Sequence, residues 1–289
     1  MNKVKNIISA DSIPAEYSFK NASGPIRYNM TNDYMFKKAL ISSPLALKGL
    51  VASLLYTRPK KIRTVEVKNP ILLGQNVTDK ECRLDVLVEV NGHILIDMEM
   101  QVKNEHNWPE RTLIYQCRTF DNIKRGEDYS NIKDAFTVDF LNFTLFEHHP
   151  EFHANYGITN LSSKFLFTNK FKISVIELNQ TKLATWKDKF YHLDKWAKLF
   201  TATTCEEVKM IAKDNEYLES LAEAVHMINL DPYTARMLKE REEIISYNKA
   251  REKRLAEQEA QLAEQASELA EKDALIEQLK KQLEEKNNQ

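Results

Sequence analysis

Glycine and proline are scarce, at 6 and 8 of 289 residues. That excludes a low-complexity chain or a flexible linker array. No glycine-rich loop of the phosphate-cradling kind is present. The three cysteines, Cys82, Cys117 and Cys205, fall in no pairs at metal-ligand spacing. A zinc site of four cysteines is therefore excluded, and free thiols suit a reducing compartment. No apolar run approaches the roughly 20 residues that a bilayer requires. The opening "MNKVKNIISADSIPAEYSFK" lacks the apolar block of a secretion signal. These absences together predict a cytoplasmic protein.

An excess of charge is also missing. The formal net charge is -1; residues 236–289 hold 11 Lys+Arg against 13 Asp+Glu, and the rest 30 against 29. No bulk polycation is available, so nucleic-acid contact must come from a local basic surface. What the chain has is 43% hydrophobic and 29% charged residues, enough for a full core.

Three segments are expected: an N-terminal arm at 1–27, a body at 28–235, and a charged tail at 236–289. In the body, "MTNDYMFKKAL" starts a helix with Thr31 or Asn32 as its N-cap. "LALKGLVASLLY" is a second helix, and "KIRTVEVKNP" alternates like a strand. "WPERTLIYQCRTFDNIKRG" reads as a helix with Pro109 in its first turn and Gly126 past its end. "DAFTVDFLNFTLF" and "KFKISVIEL" are rich in strand formers. Two amphipathic helices follow, the second opened by a capping box of Thr204 and Glu207. The order of elements predicts an α/β body around one mixed sheet.

The segment "RLDVLVEVNGHILIDMEMQ", residues 83–101, reads as a β-hairpin about Asn91-Gly92. A two-residue turn would send Asp85 and Glu99 to opposite faces. A three-residue loop, Val90-Asn91-Gly92, sets Asp85 opposite Asp97 and Arg83 opposite Glu99. Asp85, Asp97, Glu99 and Gln101 then share one face, and Val86, Val88, Ile94, Ile96, Met98 and Met100 form a coherent core face. That pattern prefers the three-residue loop. Gathered carboxylates in a partly dry cleft repel one another and call for a cation, with a hard divalent ion as the fitting partner. The plain alternative is a half-exposed strand face with ordinary salt bridges.

Four segments in order, "MTNDYMFKKAL", "CRLDVLVEV", "IDMEMQ" and "ERTLIYQ", resemble the successive motifs of the PD-(D/E)xK nuclease superfamily. Within it they resemble the branch of recombination-promoting nucleases and transposases, over roughly residues 28–235. The resemblance implies a restriction-endonuclease-like core, with a mixed sheet flanked by helices, and DNA cleavage dependent on Mg²⁺ or another divalent ion. It implies that Asp85 and Glu99 hold the ion and that Gln101 takes the place of the superfamily lysine. Glutamine can orient water but cannot act as a base. Asp33 falls on the acid of the first motif, and Arg111 and Tyr115 line the cleft. The competing reading is a catalytically idle DNA-binding or scaffolding module.

Other motifs carry less. His149 and His153 have a helical metal spacing, but Pro150 between them disturbs a helix, so a loop cluster is expected. Trp186, Phe190 and Trp196 sit near helical spacing and are expected in the core. "RPKKIR" at 58–63 reads as a solvated basic loop. In the tail, Leu255, Leu262, Leu269, Ile276 and Leu283 recur every seven residues, which predicts a coiled coil that pairs chains as a homodimer or higher oligomer. The companion seam is poor, and a solitary ion-paired helix is the alternative.

Overall fold

The computed structural model describes residues 18–68, 71–72, 82–83, 85–123 and 125–287. The chain divides into two units, residues 1–231 and 232–289.

The first unit is built on a six-stranded sheet. Its strands are β1 (Val65–Val67), β4 (Val86–Val90), β5 (Ile94–Gln101), β6 (Asp134–Leu141), β7 (His153–Gly157) and β8 (Phe171–Glu177). A separate pair joins β2 (Ile71–Leu72) to β3 (Cys82–Arg83). The order in the large sheet is β1-β4-β5-β6-β8-β7. β5, β6 and β8 run parallel, and the flanking pairs are antiparallel. The helices are α1 (Asp33–Ser42), α2 (Pro44–Leu54), α3 (Trp108–Phe120), α4 (Trp186–Phe190), α5 (Leu193–Thr201), α6 (Cys205–Ala212) and α7 (Glu216–Leu230). The mixed sheet with flanking helices is the expected α/β architecture.

Local chemistry sets these boundaries. The side chain of Asn32 accepts from the Met35 amide at 3.1 Å and caps α1. Pro44 opens α2, where its missing N–H costs nothing. Thr204 and Glu207 form the expected capping box on α6, and Thr185 with Asp188 forms a second on α4.

The hairpin register differs from both expectations. Val90 pairs with Ile94, Val88 with Ile96 and Val86 with Met98. The loop is Asn91-Gly92-His93, with Asn91 and Gly92 both at positive φ (51° and 78°). The slide relative to the expected pairing is two residues, an even number, so every side chain keeps its expected face. Arg83, expected opposite Glu99, has a side chain outside the described residues.

Both faces of the sheet are covered. On one, Phe140 packs with Phe36 of α1 and Phe200 of α5, at ring separations of 5.6 and 5.1 Å. Trp196 of α5 closes this core and donates from Nε1 to Ser53 Oγ at 3.0 Å. On the other face lies α3, the crossover between parallel β5 and β6. Gln116 ties it down: Nε2 donates to the Ala135 carbonyl at 2.6 Å, and Oε1 accepts from Thr137 Oγ1 at 2.7 Å.

Two further expectations are corrected. Trp186 is 78% and Phe190 60% exposed, and only Trp196, at 1%, is core. His192 adopts a left-handed conformation (φ 62°) and breaks the helix, so the periodicity does not run through it. The single turn of α4 points Asp188 inward instead. There it accepts from Tyr56, beside His153 Nδ1 at 3.4 Å. Burial pushes its carboxyl up, but hydrogen bonds with His153, Thr185 and Tyr56 outweigh that and hold it far below the usual range. His149 is exposed beside Glu151, whereas the His153 side chain, 1% exposed, begins β7. They form no metal pair.

Gly49 of α2 is where α7 comes closest. A Cβ there would stand 2.4 Å from Cβ of Tyr217. Helix propensity alone favours alanine by about 1 kcal/mol. Overpacking costs about 1–3 kcal/mol and should win. Gly49→Ala is expected to lower stability in a urea titration; a neutral or stabilising result would show that the two helices can separate freely.

Candidate functional site

The acids lie where the α3-covered face meets the carboxyl ends of the parallel strands. Asp97 and Glu99 alternate on β5 with Met98 and Met100, and both carboxylates are buried, at 0% and 1% exposure. Asp85 stands just before β4, level with Glu99 by the register. Two hydrogen bonds join them across the strands. The Asp85 amide donates to Glu99 Oε1 at 2.9 Å, and the Met100 amide donates to Asp85 Oδ2 at 3.0 Å. Each carboxylate therefore accepts from the backbone of the segment that carries the other, and the charge of Asp85 acts on Glu99.

A further acid was missed by the motif reading. Asp139 of β6 pairs with Glu99 in the parallel register and is fully buried. Its Oδ2 accepts from Trp108 Nε1 at 3.0 Å and Thr112 Oγ1 at 2.6 Å, both on α3. The signal was present: Asp139 interrupts an apolar strand, "AFTVDFL", in the same way as Asp97 interrupts "HILIDMEM".

Burial raises the pKa values of three of these acids. Glu99 stands well above the ordinary value, through desolvation first and then the charges of Asp97, Asp85 and Asp139. Asp85 is raised by desolvation and by Asp33 of α1, against the Met100 amide, Lys37 and Arg111. Asp139 is pushed up to about 6 by desolvation, although Thr112, Trp108 and Arg111 pull it down. Asp33 and Lys37 are thus near enough to act on Asp85.

Arg111 of α3 faces the acids. Its guanidinium lies 3.7 Å from Glu99 Oε2. The Trp108 and Tyr115 rings flank it at 4.8 and 5.2 Å. Arg111 and Tyr115 therefore do share the helical face expected of them. Gln101 ends β5, half-buried, and its Nε2 donates to the Lys103 carbonyl at 3.0 Å. Among the described residues, no group of three or more His, Cys, Asp or Glu could hold a metal ion. The carboxylates of Asp85 and Glu99 offer hard oxygen donors from neighbouring segments. That fits a magnesium-like ion, which takes one or two carboxylates plus water and substrate, better than a closed protein cage.

A mixed six-stranded sheet with flanking helices is consistent with the PD-(D/E)XK fold. Residues 30–253 match the family described as PD-(D/E)XK nuclease family transposase, and the chain belongs to that family. It matches no curated protein and no solved structure. No described helix is long and apolar enough to cross a membrane.

Asp139 yields a test in metal-free protein. Between 3.8, its ordinary value, and about 6, only the folded state holds the proton. Stability therefore falls as pH rises through that window, and the full penalty is present above it. Asp139→Asn still offers an oxygen to Thr112 and Trp108 but cannot ionise. It should melt higher than the wild type at about pH 8, by on the order of 2 kcal/mol, with the gap closing near pH 4. A gap independent of pH would refute the buried-charge account.

Proposed function

We propose that the chain is a divalent-metal-dependent endodeoxyribonuclease acting in DNA recombination or transposition. The observation that carries this reading is the reciprocal bonding of the Asp85 and Glu99 carboxylates to each other's backbone segments in a chain of this nuclease family. Asp85 and Glu99 would hold the ion, Mg²⁺ or a similar hard cation. When bound, that ion supplies Lewis-acid charge at the scissile phosphate and lowers the pKa of water.

The residues of the chain do the rest. Gln101, two positions past Glu99 on the same strand face, can orient a water through its amide oxygen. It cannot take the water's proton, so proton removal falls elsewhere than in nucleases with lysine there. Arg111 neutralises Glu99 and offers guanidinium N–H groups to a phosphate. Tyr115 holds the Arg111 plane, and Asp33 tunes Asp85. Burial of Glu99 strengthens the charge interactions made with it.

The body at 28–235 is the nuclease domain in this reading, preceded by the arm at 1–27. The tail at 236–289 is a coiled coil that pairs two chains. A cytoplasmic setting fits Cys117 and Cys205, both free. The ion pair of Arg111 with Glu99 favours the other reading, an idle DNA-binding or scaffolding module.

Plasmid cleavage decides between them. Wild type should nick DNA with Mg²⁺ or Mn²⁺, and Asp85→Ala and Glu99→Ala should each lower the rate at least about 100-fold. Wild type alone should also melt higher when Mn²⁺ is added. Three inactive proteins with no metal-dependent melting shift would establish the idle module.

A further inference from the structure

The second unit is one helix, α8 (Pro232–Asn287). Leu255, Leu262, Leu269 and Ile276 stand on one stripe, each between 48% and 64% exposed. Internal pairs at i, i+4 support the helix, among them Arg236–Glu240, Lys253–Glu257 and Glu268–Lys272. The stripe has few apolar companions, so charge must choose how it is covered.

The charges fall in blocks. Residues 249–254 hold four cations and one acid, net +3. Residues 255–277 hold seven acids and one cation, net -6. A parallel pair in register sets each block against its own copy, positive on positive and negative on negative. Like charges at that separation repel.

We infer that the stripe is covered by the same helix of a second copy running antiparallel, centred near Leu262. This rests on the pairing role of the tail proposed above. In that arrangement residues 249–254, net +3, lie beside 270–275 of the other copy, net -1, and symmetry repeats the match. The acids Glu257, Glu259, Glu264 and Glu268 come level with Ser267, Gln265, Ala260 and Ala256. Leu255 comes level with Leu269, and Leu262 with its own copy. The centre lies close to the midpoint of α8, so almost the whole helix takes part.

The orientation has a consequence for function. At about 1.5 Å per residue, the two copies of Pro232 stand about 90 Å apart. Such a tail holds its own two body-linked ends apart and does not bring them side by side. About 90 Å is about 26 base pairs of B-form DNA.

The test uses the full-length chain with its native cysteines replaced by serine, carrying Asn248→Cys or Ile276→Cys. The two positions lie equally far from Leu262. Mixing the variants and oxidising should give a 248–276 cross-link, while Asn248→Cys alone should give none. Light scattering should report two chains, and added salt should weaken the pair. A 248–248 cross-link, or a two-chain mass without the 248–276 link, overturns the orientation and leaves pairing intact. A single-chain mass up to about 100 µM overturns pairing itself.

Discussion

The site depends on the desolvation of carboxylates on the α3-covered face of the sheet. Asp97, Glu99 and Asp139 are held by parallel strands that cannot move apart without losing their ladder, and all three are buried. Burying like charges costs several kcal/mol unless something neutralises them. A protein with only structural needs would place valine or isoleucine there. The raised values of Glu99 and Asp139 record that cost, and it is the cost a cation would offset.

One helix supplies most of the compensation. Trp108 and Thr112 bind Asp139, Arg111 faces Glu99, and Gln116 fastens the helix to β6. These residues recur at three- and four-residue spacing because that is the face α3 turns to the sheet. The same helix therefore holds the acids in place and brings a cation to them. Its opposite side stays wet: Leu113, Ile114 and Cys117 are exposed. A helix that bonds buried acids while Trp108 and Phe120 pack on the sheet couples the ionisation of the site to that packing.

Much of this was legible from alternation and order. Strand parity put Asp97 and Glu99 on one face, because a register slide of two residues leaves parity unchanged. The register itself was hidden, since the left-handed conformations of Asn91 and Gly92 permit several three-residue loops. Asp139 was hidden because its partners lie 27 and 31 residues away in the chain, beyond any local pattern. The exposure of Trp186 and Phe190 was hidden by a break at His192 that periodicity does not register. That break is stabilised at a distance, through Asp188 and its bonds to Tyr56 and Thr185.

Gln101 bears on how the chemistry is divided. A lysine at the end of β5 would add a positive charge beside acids already raised in pKa, pulling them down and sharing their neutralisation with the ion. Glutamine adds no charge. The work of balancing Glu99 then falls on Arg111, and in the reading proposed above a bound ion would share it. Oε2 of Glu99 already faces the guanidinium and Oε1 the Asp85 amide, so an ion held there, as proposed above, would compete with Arg111 for the same carboxylate. The Trp108 and Tyr115 rings hold the plane of the guanidinium in that contact.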